Sequence, residues 1–139
     1  MLNKQDIILL FLDDPEKLSE EIQNKNVPKS DEIRTLICDL GGSRCAYYYA
    51  RDIDQKPSKK TRTSACKDSW YAYLYARHVD KKQLDETRTA ACKDPWSAYT
   101  YAQNIDQKPS NETRTAACKK PSCKEAYKNW ETGYIDTRI

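Results

Sequence analysis

The chain repeats itself, and this constrains its fold more than any other feature. The stretch Thr87-Arg-Thr-Ala-Ala-Cys-Lys-Asp-Pro-Trp-Ser-Ala-Tyr-Thr-Tyr-Ala-Gln-Asn-Ile-Asp106 has close counterparts starting at Thr61 and at Thr113, a period of 26 residues. A fixed period of this size marks stacked supersecondary units, none of which buries its apolar face alone.

The register extends both ways. Ser30-Asp-Glu-Ile-Arg-Thr-Leu-Ile-Cys38 aligns with Ser110-Asn-Glu-Thr-Arg-Thr-Ala-Ala-Cys118. Cys38 and Cys66 stand 28 residues apart, and Gly41 and Gly42 account for the surplus. Asp14-Pro15 precedes Ser30 as Asp94-Pro95 precedes Ser110, which places Ile7 to Leu12 where Thr87 to Cys92 stand. The chain is therefore expected to be one domain of about five units. These are a degenerate N-terminal cap (1–29), internal repeats at 30–57, 58–83 and 84–109, and a degenerate C-terminal cap (110–139).

Within a unit the apolar spacing is helical. Thr87, Ala90 and Ala91 fall at i, i+3 and i+4, and Thr61, Ser64, Ala65 and Thr113, Ala116, Ala117 repeat them. Ile33, Leu36 and Ile37 take those places in the second unit. A first helix is expected over about Asp85–Cys92, with Ser58, Asp85 and Ser110 as caps. Asp94 then caps a second helix with Pro95 in its first turn, running to about Asn104. Its core stripe is Ala98, Tyr101, Ala102 and Ile105, echoed by Ala72, Tyr75, Ala76, Val79 and by Ala46, Tyr49, Ala50, Ile53. Tyrosine fills the space that alanine leaves, with its hydroxyl expected to reach a partner or water at the rim. The predicted fold class is all-α, an α-solenoid of about five stacked two-helix repeats.

Low mean hydropathy, −0.96, fits a thin stack with much surface. The net charge of +3 comes from interspersed signs and demands no nucleic-acid partner. Ile7 to Leu12 is too short to span a bilayer and lacks the cleavage site of a signal peptide, so a soluble, cytoplasmic protein without membrane contact is expected. Cys38, Cys66, Cys92 and Cys118 hold one equivalent position, and equivalent atoms of packed helices lie about 8–10 Å apart, beyond disulfide reach. They are expected as a ladder of small buried thiols. Cys45 reads as a plain helix residue, and Cys118 with Cys123 lacks the partners of a metal site.

Positions that recur in the internal units should serve the stack. These are Tyr47, Tyr73 and Tyr99, Arg62, Arg88 and Arg114, and Asp54, Asp80 and Asp106. The arginines and aspartates are expected in pairs between units or as helix caps, with an anion-binding arginine ladder as the sharper alternative. Positions that differ are free for recognition. Opposite the core stripe lie Arg44, Tyr48 and Arg51, then Trp70, Leu74 and Arg77, then Trp96, Thr100 and Gln103. A strip of Trp, Tyr and Arg has the composition of binding hot spots. The competing reading packs the tryptophans over adjoining helices and leaves the rest as a solvated face.

Catalytic patterns are missing from the sequence. His78 stands where Asp52 and Asn104 stand in sister units and reads as a surface residue. No phosphate loop, dinucleotide glycine motif or zinc spacing occurs, and no nucleophile has an evident base. No enzyme activity, cofactor or metal is expected.

The phrase Ala-Cys-Lys-Asp-Pro-Trp-Ser-Ala-Tyr-Thr-Tyr-Ala-Gln-Asn-Ile-Asp, ending at Asp106, resembles tandem repeats of tailed-phage proteins with a Lys-Asp-Pro-x-x-Ala-Tyr-x-Tyr-Ala-Arg-x-Val-Asp pattern. The resemblance covers about residues 30–120 and departs from the pattern at Ser69 and in the last unit. It implies a phage origin and a host-cell cytoplasmic location. The expected function is a protein-binding module that inhibits or adapts a host complex, such as a defence system, with a protein or ribonucleoprotein as partner. The alternatives are nucleic-acid binding through the Tyr/Arg face and a structural or assembly role.

Overall fold

The computed structural model describes residues 1–138. Among them the chain is all-helical, with neighbouring helices packed in sequence. The helices are α1 (Lys4–Asp13), α2 (Pro15–Gln23), α3 (Asp31–Tyr48), α4 (Lys59–Ala65), α5 (Ser69–Tyr75), α6 (Asp85–Ala91), α7 (Pro95–Tyr101), α8 (Asn111–Ala117) and α9 (Pro121–Arg138). Helices α3, α5 and α7 each run on into a π-helical turn, Tyr49–Asp54, Ala76–Asp80 and Ala102–Asp106.

The caps follow the sequence closely. Ser30, Ser58 and Ser110 accept from the backbone N–H of Ile33, Thr61 and Thr113. Asp14, Asp68 and Asp94 cap α2, α5 and α7. Asp85 is a correction. Leu84 occupies the cap position of α6 without a side-chain bond, and Asp85 lies one residue inside, where it pairs with Arg88 at 2.9 Å. Leu84, not Asp85, is the counterpart of Ser58 and Ser110.

As expected, α3 holds the two helices of the second unit, joined across a kink. The chain keeps its helical course through Gly41 and Gly42 with one break, at Gly42 (φ 65°, ψ −156°). An L side chain is strained in that region of backbone space. A Cβ on Gly41 would stand 2.5 Å from that of Cys45, so both glycines are required, one by conformation and one by closeness.

Packing proceeds by neighbours. Helix α4 lies on α3, α6 on α5 and α8 on α7. Small residues make these junctions close: Ala50 clusters with Ala65, Ala76 with Ala91, and Ala102 with Ala117. Tyr47 and Tyr73 are buried in the first two clusters, and Tyr99 packs on the third. The predicted stripe is buried, apart from Ile53 and Ile105, which are partly covered. The N-terminal cluster is bulkier, with Ile7, Leu18, Ile22, Val27, Ile33 and Ile37.

The hydroxyls of the stripe tyrosines reach partners, as expected. Tyr75 Oη is hydrogen-bonded to Thr61 Oγ1 (2.7 Å), accepts from Ser58 N and donates to Ser58 O. Tyr101 does the same with Thr87 and Leu84, and Tyr127 with Thr113 and Ser110. Each phenol thus ties the end of one loop to the helix that follows it. Burial pushes the phenols of Tyr75 and Tyr101 above their ordinary pKa.

The arginine–aspartate pairs also differ from expectation, because they close within a helix pair rather than between pairs. Arg62 grips Asp80 through Nε and Nη2, and Arg88 grips Asp106 likewise. Arg34 holds Asp54 in the same way. The aspartate side chains are 0–2% exposed. Such forks are the strong form of ion pair, and with their Nε–Nη2 edge filled these arginines are not an open anion ladder. Arg62 and Asp80 are 18 residues apart; Arg34 and Asp54, with Gly41 and Gly42 between them, are 20 apart. The last pair, Arg114 with Glu131, is 17 apart. A π-turn takes up one extra residue, and α9 has none among its described residues, so its acid stands one place earlier.

The thiols also depart from expectation. All six are free, but the expected buried ladder fades along the chain: Cys38 is buried, Cys66 and Cys92 half-buried, Cys118 exposed. Cys118 lies in the last described helix pair, and among the described residues no further helix follows to cover it. Cys45, expected as incidental, belongs to the N-terminal core. No helix among the described residues is long and apolar enough to cross a membrane.

Candidate binding face

The caps Asp68 and Asp94 decide where α5 and α7 begin, and so place Trp70 and Trp96 in their first turns. The Ala–Tyr–Ala stripe turns one side of each helix inward, which leaves the tryptophans outside. Trp70 is 46% exposed and Trp96 39%. Each lies against the tyrosine one turn later, Trp70 on Tyr73 with centroids 5.0 Å apart and Trp96 on Tyr99 at 5.9 Å. The rings are held in place while much of their surface stays in solvent.

Arg51, Arg77 and Gln103 are exposed with them. Arg51 lies over Tyr48 at 4.8 Å and over Tyr47 at 5.5 Å. It also donates to Asp52 from Nε and Nη2, which holds its pKa above the ordinary value despite partial burial. Arg77 donates from Nη1 to Tyr73 Oη at 2.6 Å, and Asn104 Nδ2 reaches the same oxygen from the next π-turn.

The other four members of the strip are half-buried. Tyr48 and Leu74 each touch two core clusters, and Thr100 donates back to Trp96 O. Arg44 points toward Glu16 at 4.0 Å, and its buried Nε has no hydrogen-bond partner. The exposed members are therefore Arg51, Trp70, Arg77, Trp96 and Gln103.

The aromatic surface is wider than the sequence reading made it. Tyr71 and His78 approach Tyr47 from the next helix pair, at 5.9 and 6.4 Å. Trp130 stacks edge-on to Tyr99 and Tyr127. His78 is held below its ordinary pKa, first by burial and then by Arg77 and Arg51. A recurring loop pattern was the available signal for what lies beside this face: Gln55, Lys81 and Gln107 all adopt left-handed backbone (φ 56–57°), followed by Lys56, Lys82 and Lys108.

Cys45, Cys66 and Cys92 are poor nucleophiles in these surroundings. Burial, reinforced by Glu86 and Glu112, pushes Cys66 and Cys92 up to about 12, and burial pushes Cys45 to about 11. No group of three metal-ligating side chains gathers among the described residues.

No protein-family model, curated protein or solved structure matches this chain.

Proposed function

We propose that the protein is a non-catalytic α-solenoid of about five two-helix units with a 26-residue period, whose second helices hold a macromolecular guest. The units are those read from the sequence, 1–29, 30–57, 58–83, 84–109 and 110–139. The guest is a protein or ribonucleoprotein complex, which the module blocks or adapts without a cofactor. With the phage-like repeat phrase, the fitting setting is the cytoplasm of an infected cell and the fitting target a host complex such as a defence system.

One observation carries this reading. Trp70 and Trp96 occupy equivalent places on α5 and α7, each anchored on a tyrosine and each still partly exposed to solvent. Pre-positioned aromatic side chains contribute large contact area at low entropic cost. The test is capture of a host partner by the intact chain and by Trp70→Ala/Trp96→Ala. Loss of the partner with an unchanged circular-dichroism spectrum supports the face, and equal capture by both proteins overturns it.

A structural reading has its own observation. Met1, Leu9 and Leu12 are exposed at the α1 end, whereas end units of stacked repeats ordinarily present polar outer faces. Self-association through that end would raise the mass with concentration in light scattering, and a constant monomer mass removes this reading.

A further inference from the structure

Below the row of tryptophans, the ends of α3, α5 and α7 enclose two successive grooves. One, of about 340 Å³, lies between the π-turns of α5 and α7 and is lined by Arg77, Lys81, Lys82, Asn104 and Gln107 beside apolar residues. The other, of about 450 Å³, lies between the π-turns of α3 and α5 and is lined by Arg51, Lys56, His78 and Lys81 among others. Lys81 belongs to both, so the grooves join. Neither is lined by a carboxylate.

This absence of acid has a cause in the fold. The π-turns end in Asp54, Asp80 and Asp106, which turn inward and are consumed by Arg34, Arg62 and Arg88. The loops after them then present lysine and glutamine. Asp52 offsets Arg51, but Arg77 meets only a phenol, and Lys56, Lys81 and Lys82 form no ion pair among the described residues. Trp70 and Arg77 stand seven residues apart on one helix line, about 10 Å at the rise of a helix. The molecule thus carries a row of exposed rings and, parallel to it, a row of unpaired cations.

We infer that this paired row is a track for single-stranded nucleic acid, with phosphates along Lys56, Lys81, Arg77 and Lys82 and bases against Trp70 and Trp96. A cationic groove beside exposed aromatic rings is the usual device for such a strand, because every base has a face to stack and every nucleotide a charge to neutralise. An acidic peptide would use the cations alone and leave the rings without a role. The pKa of His78, lowered first by burial, is lowered further by Arg77 and Arg51 beside the groove. The inference rests on the guest-face reading and names the part of the guest that reaches its lower edge.

The test is fluorescence anisotropy of a labelled oligo(dT) of about 12 nucleotides with the full chain. Four phosphate contacts at a slope of about −0.7 each give a fall of ~50-fold in affinity between about 50 and 200 mM salt. Arg77→Gln/Lys81→Gln installs the residues that the next helix pair already carries, Gln103 and Gln107, so the fold tolerates it. This variant should flatten the salt slope by about 1.4 and weaken binding at low salt, and oligo(dT) should raise the His78 pKa in an NMR titration. Failure to bind at about 50 mM salt, an unchanged slope in the variant, or equal displacement of the strand by poly-glutamate at the same charge overturns the inference. If oligo(dT) fails while capture of a protein partner still depends on Trp70 and Trp96, only this inference falls.

Discussion

The hydroxyl of Tyr101 is the most direct test of how helix pairs are tied together. Its ring is fully buried, and Phe keeps the ring, so Tyr101→Phe removes one oxygen without opening a large cavity. That oxygen accepts from the Leu84 N–H (3.2 Å), donates to Leu84 O (3.2 Å) and meets Thr87 Oγ1 at 2.8 Å. Thr87 retains its own bond to Leu84 O, so its hydroxyl is not stranded. The Leu84 amide has no other acceptor among the described residues and sits at the one first-helix start, among α4, α6 and α8, that lacks a side-chain cap. A net hydrogen bond is worth about 1 kcal/mol, and a buried donor left unpaired costs about 1–3 kcal/mol. The substitution should therefore destabilise by about 2 kcal/mol, or ~6 °C in Tm for a chain of this size. Urea unfolding followed by circular dichroism measures the change, and hydrogen exchange at the Leu84 amide localises it. Combined with Thr87→Val, the loss should be less than additive, because the two residues share one bond. A loss below about 0.5 kcal/mol, or strict additivity with Thr87→Val, would refute the tie.

Asp106→Ala leaves the Arg88 fork without its acid in a nearly dry site, and should cost ~3 kcal/mol in urea unfolding, the lower end for a broken buried pair because Asp85 and Gln83 still hold one side of Arg88. Gly42→Ala forces a side chain into positive φ and should cost about 1–3 kcal/mol, whereas Gly133→Ala, in an open helix position with nothing within 4 Å, should stabilise by about 0.5–1 kcal/mol; equal effects would show that Gly42 is not strained. His78 should titrate below 6.5 by NMR. Because its folded pKa lies below its unfolded one, the unfolded chain binds the extra proton in the window between them. Stability should then fall as the pH drops through 6.5 toward the lower folded-state pKa, and His78→Asn, the residue at the Asn104 place, should remove that part of the fall.

Much of the fold was legible in the sequence because its causes are local. Serine and aspartate before helices, Pro15 and Pro95 in first turns, and the Ala–Tyr–Ala spacing act through bonds and faces within a few residues of each other, and the structure places them as read. The misreadings fall where a partner comes from farther away. Asp85 resembled a cap, but the cap position belonged to Leu84, whose backbone is satisfied by a phenol 17 residues on. The recurring arginines and aspartates were visible as a pattern, yet whether they join within or between helix pairs depends on how the helices come together, which no residue type announces.

The candidate face divides in the same way. Its position opposite the core stripe follows from helical periodicity alone. Which members stay free was decided by packing: Leu74 and Tyr48 are drawn into the clusters beneath them, and Arg44 turns toward Glu16, while Trp70, Trp96, Arg51, Arg77 and Gln103 stay outside. The cationic grooves were beyond the reach of the sequence. A string of residues lists Asp54, Asp80 and Asp106 beside Lys56, Lys81, Lys82 and Lys108 as if their charges cancelled, and only folding turns every one of those acids inward. Period, helix type and cap chemistry are short-range properties of a chain; net surface charge and exposure are sums over neighbours, and they exist only once the neighbours have arrived.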